Sequence, residues 1–353
     1  MTNQMSSSST ETIPADDAEL AVMTVKMDSF MPQSMEEALS NTNVEHLQLE
    51  RGRFHARLLH ARFTNSCLDY GGYNLPLLAT SGMPSDKITL GYILAADGES
   101  IMNGKSFAAP SAALFAEGTE LHYRLAANTQ WLALQIERGL LESIGLSIQQ
   151  DSAGPTGTPS SGDRQVSQKL QNTLSVLQTL AAAGTNPAIP DAARCMKQVE
   201  AHLFDLLIGA FASANSNTQQ QSMCRPEAVR MVKKITDYLH ANIEEPLQII
   251  RICSEMECDL RTAERAFHTI HGMAPRQFLT LLRLNKSRRM LLDRKAKNSV
   301  TEIATACGIQ HLGRFSQQYH MWFGERPTET RARSMHSGKT TGTVKNFIQR
   351  RTA

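Results

Sequence analysis

The chain has 353 residues, 41% of them hydrophobic and 20% charged, which is enough for about two or three domains with buried cores. Its mean hydropathy is −0.30 and it has no apolar run of about 18 residues, which excludes a transmembrane helix. The net charge of +2 is unevenly divided: residues 225–353 hold 23 Lys and Arg against 12 Asp and Glu, and residues 1–224 hold 13 against 22. The resulting balances of +11 and −9 predict a polyanionic partner for the C-terminal part.

The N-terminus and the cysteines favour a cytoplasmic protein. Residues 1–20 are polar and acidic, without the basic and apolar regions of a signal peptide, and are expected to form a disordered tail. The six cysteines lack C-x-x-C spacing, which is typical of reduced thiols and argues against a disulfide framework or a zinc site. They are Cys67, Cys195, Cys224, Cys253, Cys258 and Cys307.

Residues 45–140 have the pattern of short strands. Segments such as HARLLHARF and KITLGYILA are separated by turn signals, among them an Asp-Gly at 97–98 and an Asn-Gly at 103–104, while the GGY at 71–73 is expected to interrupt a strand. Strands at intervals of about ten residues predict a small antiparallel β-barrel or a jelly roll.

Two amphipathic helices are expected next, at 164–183 and 191–212, because leucines recur there at helical spacing. Their apolar faces could cover the barrel or form the interface of a homodimer. Residues 21–212 are therefore predicted to be a sensing and dimerisation domain. Low-complexity sequence at 151–163 and 213–222 predicts linkers, the second separating this domain from the rest at 213–224.

Residues 225–335 predict an all-α domain, followed by a C-terminal tail at 336–353. Seven helices are expected here. The first two span 227–241 and 247–256, the third begins after Asp259 as its N-cap, and the fourth runs from Pro275 to about Leu292. The fifth begins with the capping box of Ser299 and Glu302, the sixth spans 311–322, and the seventh begins at Pro327. The predicted fold class is thus α+β, with an N-terminal β-barrel plus helices and a C-terminal helical domain.

This helical part contains an internal repeat. The sequence HGMAPRQF at 271–278 returns as FGERPTET at 323–330, so that Gly272 and Pro275 correspond to Gly324 and Pro327. Each copy follows a short helix, a tight turn and a longer helix, which predicts two helix-turn-helix units at about 247–271 and 299–322. The 18-residue helix between them would be about 27 Å long, close to the 34 Å or so that separates successive major grooves.

The second unit, VTEIATACGIQHLGRFSQQYHMWFGERPTETR, resembles the AraC/XylS-type bacterial transcription regulators, through its I-A-x-x-x-G core, Arg-Phe, Tyr319, F-G-x-x-P and Arg331. The first unit departs from that pattern at Cys253, Glu257 and Ala263. The segment LERGRFHARLL resembles the cupin-like domain of regulators of the ethanolamine-operon activator type. The resemblance implies a sequence-specific activator that responds to a small molecule and has promoter DNA and RNA polymerase as partners, without a cofactor.

The resemblance also implies which side chains read bases. They are Arg261, Glu264 and Arg265 in the first unit, and Leu312, Gly313, Arg314 and Gln317 in the second. Arginine suits guanine, glutamine suits adenine, and glutamate accepts from cytosine N4. The alternative for each arginine is a contact to phosphate or solvent, and Arg314 could instead anchor the domain itself.

Two functions other than an activator that responds to a small molecule are the alternatives. A cupin-type metalloenzyme needs clustered histidine and glutamate ligands, but His46, His55, His60 and His122 form no H-x-H pair with a following Glu, so no enzyme and no metal are expected. A thiol-responsive DNA-binding regulator would use Cys253, Cys258 or Cys307, which lie in or beside the repeated units. Small buried thiols are also ordinary at apolar helical positions.

Overall fold

The computed structural model describes residues 21–32, 35, 43–143, 160–182, 190–214 and 226–336. The predicted N-terminal tail, nearly all of the predicted C-terminal tail and most of the two predicted linkers lie outside these residues. None of the described helices is long and apolar enough to cross a membrane.

The N-terminal part consists mainly of strands. They are Ala21–Met27 (β1), Asn43–Gln48 (β2), Ala56–Arg62 (β3), Ser66–Tyr73 (β4), Leu77–Gly82 (β5), Ile88–Asp97 (β6), Ser100–Met102 (β7), Lys105–Phe107 (β8), Ser111–Phe115 (β9), Glu120–Leu125 (β10), Ala127–Ile136 (β11) and Ser160–Ser161 (β12). The strand texture predicted for 45–140 is confirmed, whereas β1 was not predicted.

These strands form two antiparallel sheets and not the closed barrel that the sequence suggested. The larger sheet has the order β1-β3-β4-β11-β6-β9-β12, and the smaller has the order β2-β5-β10-β7-β8. Whether strands form a closed barrel or two sheets depends on which strands are hydrogen-bonded neighbours. The alternation of apolar and polar residues shows only which face of each strand is buried, so it does not identify the neighbours. The prediction of a mixed α+β fold is correct, and the closure of the barrel is not.

Glycines in the strands have two different roles. The predicted interruption at 71–73 is wrong, because β4 runs through it. A Cβ on Gly71 would lie 2.5 Å from the indole of Trp131, the residue paired with it on β11. Only glycine therefore leaves room for this ring over β4. The Asn-Gly turn is confirmed: Asn103 and Gly104 have φ angles of 48° and 77° between β7 and β8.

Among the described residues, three helices accompany the sheets: Arg138–Ser143 (α1), Arg164–Ala182 (α2) and Pro190–Ala214 (α3). The two predicted amphipathic helices are confirmed as α2 and α3, although α3 extends slightly into the predicted linker. Their leucines are buried with those of the larger sheet, for example Leu174 and Leu203 with Leu90 and Leu134. Full burial of one such side chain contributes about 1.5–3 kcal/mol, so the apolar faces serve to cover the sheet.

Seven helices form the C-terminal part. They are Pro226–Ala241 (α4), Ile249–Glu255 (α5), Leu260–His271 (α6), Pro275–Leu292 (α7), Val300–Ala306 (α8), Leu312–Phe323 (α9) and Pro327–His336 (α10). All seven were predicted, with boundaries that differ by about two residues or fewer. We refer to α5–α6 as the first helix pair, to α8–α9 as the second helix pair, and to α7 as the connecting helix.

The two parts of the chain share hydrophobic cores. Leu47 and Leu78 of the smaller sheet are buried with Val232 and Leu239 of α4. Near the N-terminus, Phe30 stacks on Phe323 of α9 with ring centroids 6.3 Å apart. The helical part is therefore packed against the sheets by apolar side chains and is not held by the chain connection alone.

Candidate DNA-binding site

The turns of the two helix pairs have the same backbone geometry. In the first pair the amide of Cys258 donates to the carbonyl of Cys253 at 2.9 Å, and in the second the amide of Ile309 donates to that of Ala304 at 3.0 Å. The residue before each donor has a positive φ, 53° at Glu257 and 70° at Gly308. This is the Schellman pattern of helix ends, so the repeat seen in the sequence is a repeat in three dimensions.

The predicted helix caps are confirmed. The Asp259 carboxylate accepts from the Thr262 amide at the start of α6, and Ser299 forms a capping box with Glu302 at the start of α8. Because Glu302 also accepts from the Ser299 amide, its pKa is lowered. Helix α9 differs, since its N-cap is His311 and no side-chain cap hydrogen bond forms there.

All seven predicted base-reading residues are exposed. They are Arg261, Glu264 and Arg265 on α6, and Leu312, Gly313, Arg314 and Gln317 on α9. Leu312 is 40% exposed, which is unusual for a leucine. The opposite face of α9 is buried through Phe315 and Tyr319, so burial fixes which side of the helix faces outward.

Two of these seven residues border one open cleft, and the other five do not line it. Glu264 of the first helix pair and Arg314 of the second line a space of about 1820 Å³, open solvent included, that also touches Arg276 on the connecting helix and His311. None of Arg261, Arg265 and Arg314 forms an ion pair with another described residue. The arrangement leaves cationic and hydrogen-bonding side chains of both pairs accessible from the same side.

Two buried arginines join the connecting helix to the helices that follow it, Arg288 to α9 and Arg331 from α10. The guanidinium of Arg288, which is fully buried, donates to the Tyr319 hydroxyl at 3.1 Å and lies 2.8 Å from the Glu325 carboxylate. Arg331 donates to the carbonyls of Leu291 and Asp293, where the connecting helix ends. Arg331 belongs to the family signature, but nothing in the sequence pattern distinguished Arg288 from an exposed helical arginine.

The turn of the second helix pair also contacts the segment between α4 and α5 through Gly308. A Cβ at this residue would lie 2.5 Å from the carbonyl oxygen of Ile243 and 2.8 Å from the guanidinium of Arg283. Arg283 in turn donates to the Ile243 carbonyl at 3.2 Å. The turn of the second pair is therefore packed against the segment that follows α4, and the connecting helix is not the sole link between the pairs among the described residues.

A separate cavity lies between the two sheets. It encloses about 620 Å³ of space, partly open to solvent, and its wall is mostly apolar, with Met102, Phe115 and Leu121 among the lining residues. Thr89 and Ser111 also line it, and their buried hydroxyls have no hydrogen-bond partner among the described residues. A cavity of this composition suits a small apolar molecule with a hydrogen-bonding group.

The four N-terminal histidines have separate surroundings. His60 pairs with Asp69 at 2.9 Å, His55 with Asp28 at 3.2 Å, and His122 lies 3.3 Å from the Thr80 hydroxyl. His46 is completely buried, which lowers its pKa to about 3. Within the described part of the chain, no three His, Cys, Asp or Glu side chains are grouped so that they could hold a metal ion.

Comparison with known proteins places this region among DNA-binding domains. Residues 252–333 match the family described as "Helix-turn-helix domain". The chain is 32% identical over 106 residues to the "Probable thc operon regulatory protein" of Rhodococcus erythropolis, covering 30% of this chain and 32% of that protein. It is 28% identical over 165 residues to the "HTH-type transcriptional activator RhaS" of Pectobacterium carotovorum, covering 46% and 54%.

One solved structure with a similar C-terminal part is a transcriptional regulator from Chromobacterium violaceum described as containing an AraC-type DNA-binding domain. It is 30% identical, with a TM-score of 0.30, and the match covers 32% of this chain and all of that one. The matched stretches span between about a third and a half of the two curated relatives. Together with the motif, the family match and the two curated relatives support a helix-turn-helix domain, and with it DNA binding and transcription regulation, for the C-terminal part.

Proposed function

We propose that the protein is a sequence-specific transcription activator whose two helix pairs read successive major grooves of promoter DNA. The first helix pair would read bases with Arg261, Glu264 and Arg265, and the second with Leu312, Gly313, Arg314 and Gln317. The observation that carries this proposal is the shared cleft, because Glu264 and Arg314 of the two pairs border the same open space. A duplex that contacts one helix is then within reach of the other.

Charge supports the same proposal. The balance of +11 in residues 225–353 would be matched by DNA phosphates, and neutralising them releases counterions. Binding of the full-length protein to promoter fragments should therefore weaken steeply as the salt concentration rises. The proposal would be contradicted if the protein bound no DNA fragment at low salt, or if its affinity for DNA did not change with the salt concentration.

We further propose that the N-terminal part, residues 21–212, senses a small molecule in the cavity between the sheets. The support is the apolar wall combined with the two unpartnered hydroxyls of Thr89 and Ser111. Such buried hydroxyls cost free energy unless a ligand or water satisfies them. The expected effector is a small apolar compound with one hydrogen-bonding group.

A cavity-filling variant tests this part. Ala113 lines the cavity and is 6% exposed, so Ala113→Phe should fill the space. Compounds that raise the melting temperature of the wild-type protein should fail to do so in Ala113→Phe. Equal stabilisation of both proteins would place the effector elsewhere.

The remaining partners follow from the role of an activator. We propose RNA polymerase as the protein that the DNA-bound chain contacts, and a homodimer as its solution state. The likeness of the N-terminal part to the ethanolamine-operon activator type remains a prediction of the same kind. A transcription assay with purified polymerase tests the contact with RNA polymerase, and light scattering of the full-length protein tests the homodimer.

A further inference from the structure

The turn of the first helix pair places two cysteines in contact. Cys253 is the last buried residue of α5, and Cys258 lies just beyond the turn, packed against the same hydrophobic core. The backbone hydrogen bond from the Cys258 amide to the Cys253 carbonyl, 2.9 Å long, holds the two residues together. A contact between the side chains at these two positions is common in Schellman helix ends, and here the two thiols are within hydrogen-bonding distance.

The second helix pair shows what these positions otherwise contain. The corresponding residues are Ala304 and Ile309, joined by the same backbone hydrogen bond at 3.0 Å. Both are hydrocarbon side chains, and both contribute to a hydrophobic core. The architecture of the turn therefore requires only an apolar contact there, and the first pair makes that contact with two thiols.

The two thiols differ in exposure. Cys253 is 2% exposed, whereas Cys258 is partly exposed and lies between the exposed residues Glu257 and Asp259. Burial, together with the neighbouring Cys258 thiol, raises the pKa of Cys253 to about 11. A dissolved oxidant can thus reach Cys258 first, with Cys253 held behind it as the second thiol.

We propose that Cys253 and Cys258 form a reversible disulfide that weakens DNA binding by the first helix pair. The oxidant would be a low-molecular-weight disulfide. The Cys258 thiolate attacks one of its sulfurs, forming a mixed disulfide and expelling one thiolate. The Cys253 thiolate then attacks the Cys258 sulfur and expels the second. The two cysteine protons end on the two released thiols, so two electrons pass to the oxidant and one S–S bond replaces another.

The geometry connects this bond to base reading. A disulfide needs an S–S distance of about 2.05 Å and a Cβ–Cβ distance near 3.8 Å, which is closer than an apolar contact between side chains. Cys258 directly precedes Asp259, the N-cap of α6, and Arg261 is three residues further along the chain than Cys258. Shortening the contact changes the turn from which α6 starts, so that its exposed arginines approach the groove from a different position.

The chain also limits how the turn can adjust. Glu257 has a φ of 53°, in the left-handed region that residues with a side chain rarely adopt, whereas the corresponding residue of the second pair is Gly308. A turn that is already at an unfavourable angle has little room to absorb a shorter cross-link. The strain is therefore passed to α6, which carries the exposed base-reading residues.

The test uses the full-length protein in buffers with increasing ratios of glutathione disulfide to glutathione. After alkylation and digestion with trypsin, both cysteines lie in one peptide, residues 252–261, because Arg251 and Arg261 are the flanking cleavage sites. At high ratios this peptide should be unalkylated and lighter by two hydrogen atoms. Further cleavage after Glu255 or Glu257 should leave its pieces linked until a reductant is added.

The same samples are then measured for DNA binding. Because couplings between a local change and a binding site run from about 5-fold to 150-fold, affinity for the selected DNA should fall by about tenfold or more, and dithiothreitol should restore it. Cys253→Ala and Cys258→Ile, which copy the residues of the second pair, should bind DNA like the reduced protein and lose the response. Cys307→Ala, which removes a buried thiol packed against Met290, should keep it.

Three results would overturn the proposal. One is full alkylation of both cysteines in the 252–261 peptide at the highest ratio of glutathione disulfide to glutathione. This result can be observed without DNA and without a variant. Another is an affinity for DNA that stays constant while that peptide becomes oxidised. The third is an oxidant response that persists in Cys253→Ala. Formation of the disulfide is read independently of DNA, so its failure is distinguishable from a failure of the proposed DNA binding.

Discussion

The guanidinium of Arg288 lies 2.8 Å from the carboxylate of Glu325, and the arginine side chain is completely buried. The same guanidinium donates to the carbonyl of Phe30 at 2.6 Å, so one side chain of the connecting helix bonds both the second helix pair and the N-terminal segment. Removing Arg288 takes a donor from the buried Phe30 carbonyl and Tyr319 hydroxyl. Among the described residues, it also leaves Glu325 paired with Arg333 alone. Arg288→Met should lower the free energy of unfolding by about 3–5 kcal/mol in urea titrations. Arg333→Ala, whose arginine also pairs with Glu325 but is 41% exposed, is the control and should cost far less.

The effect of Arg288→Met should depend on pH. Burial alone would raise the pKa of Glu325, but the charges of Arg288 and Arg333 lower it below its usual value. A carboxyl with a lower pKa in the folded state adds stability above its unfolded pKa and loses it as pH falls through the folded pKa. The difference in unfolding free energy between wild type and variant should therefore stay constant from about pH 7 to pH 5 and shrink as pH falls below about 4.5, toward the lowered folded pKa. A difference that does not shrink below about pH 4.5 would mean that Glu325 is not the group concerned.

Arg265→Ala should reduce specificity. If its guanidinium reads a guanine, the change costs about 1–3 kcal/mol on the selected site and little on random DNA. The matched control is Arg230→Ala, which removes one exposed charge from α4. It should lower the affinity for the selected site and for random DNA slightly and equally. Competition binding with the two DNAs measures the ratio. An equal loss on both DNAs for Arg265→Ala would identify a phosphate contact.

Gly308→Ala should disturb the contact between the second helix pair and the segment that links α4 to α5. Its φ of 70° disfavours any side chain, and the added Cβ would lie 2.5 Å from the Ile243 carbonyl oxygen. The variant should melt at a lower temperature and lose part of its preference for a full site over a half site. Gly209→Ala, at a helical position with no atom within 4 Å of the new Cβ, should be neutral or stabilising by up to about 1 kcal/mol. Unchanged site preference in a destabilised Gly308→Ala would mean that the connecting helix alone sets the spacing.

The helical part was largely predictable because its signals are local. Asp259, the capping box of Ser299 and Glu302, and the glycines that end α6 and α9 each determine a boundary within a few residues of chain. The exposure of the proposed base-reading residues was predictable as well, since the buried positions of the same helices recur at helical spacing. Short-range hydrogen bonds and periodicity suffice for such features.

The features that were missed depend on distant parts of the chain. Gly71 was interpreted as a strand break, because the Trp131 ring that requires it is 60 residues away. Burial of Arg288 depends on Phe30 and on Tyr319 and Glu325, which come from two segments far from each other in sequence. The division of the strands into two sheets likewise depends on pairing between strands that are far apart in sequence. Local patterns carry no information on these contacts.

The central claim is that both helix pairs read DNA together, and the sequences of DNA fragments selected by the full-length protein test it most directly. Two helices bordering one cleft should each enter a major groove, so the selected fragments should share two conserved blocks whose centres are about 10–10.5 base pairs apart. Inserting about 5 base pairs between the blocks should abolish high-affinity binding, because the second groove then faces the opposite side of the duplex. A single conserved block, or two blocks whose spacing varies freely, would contradict the account.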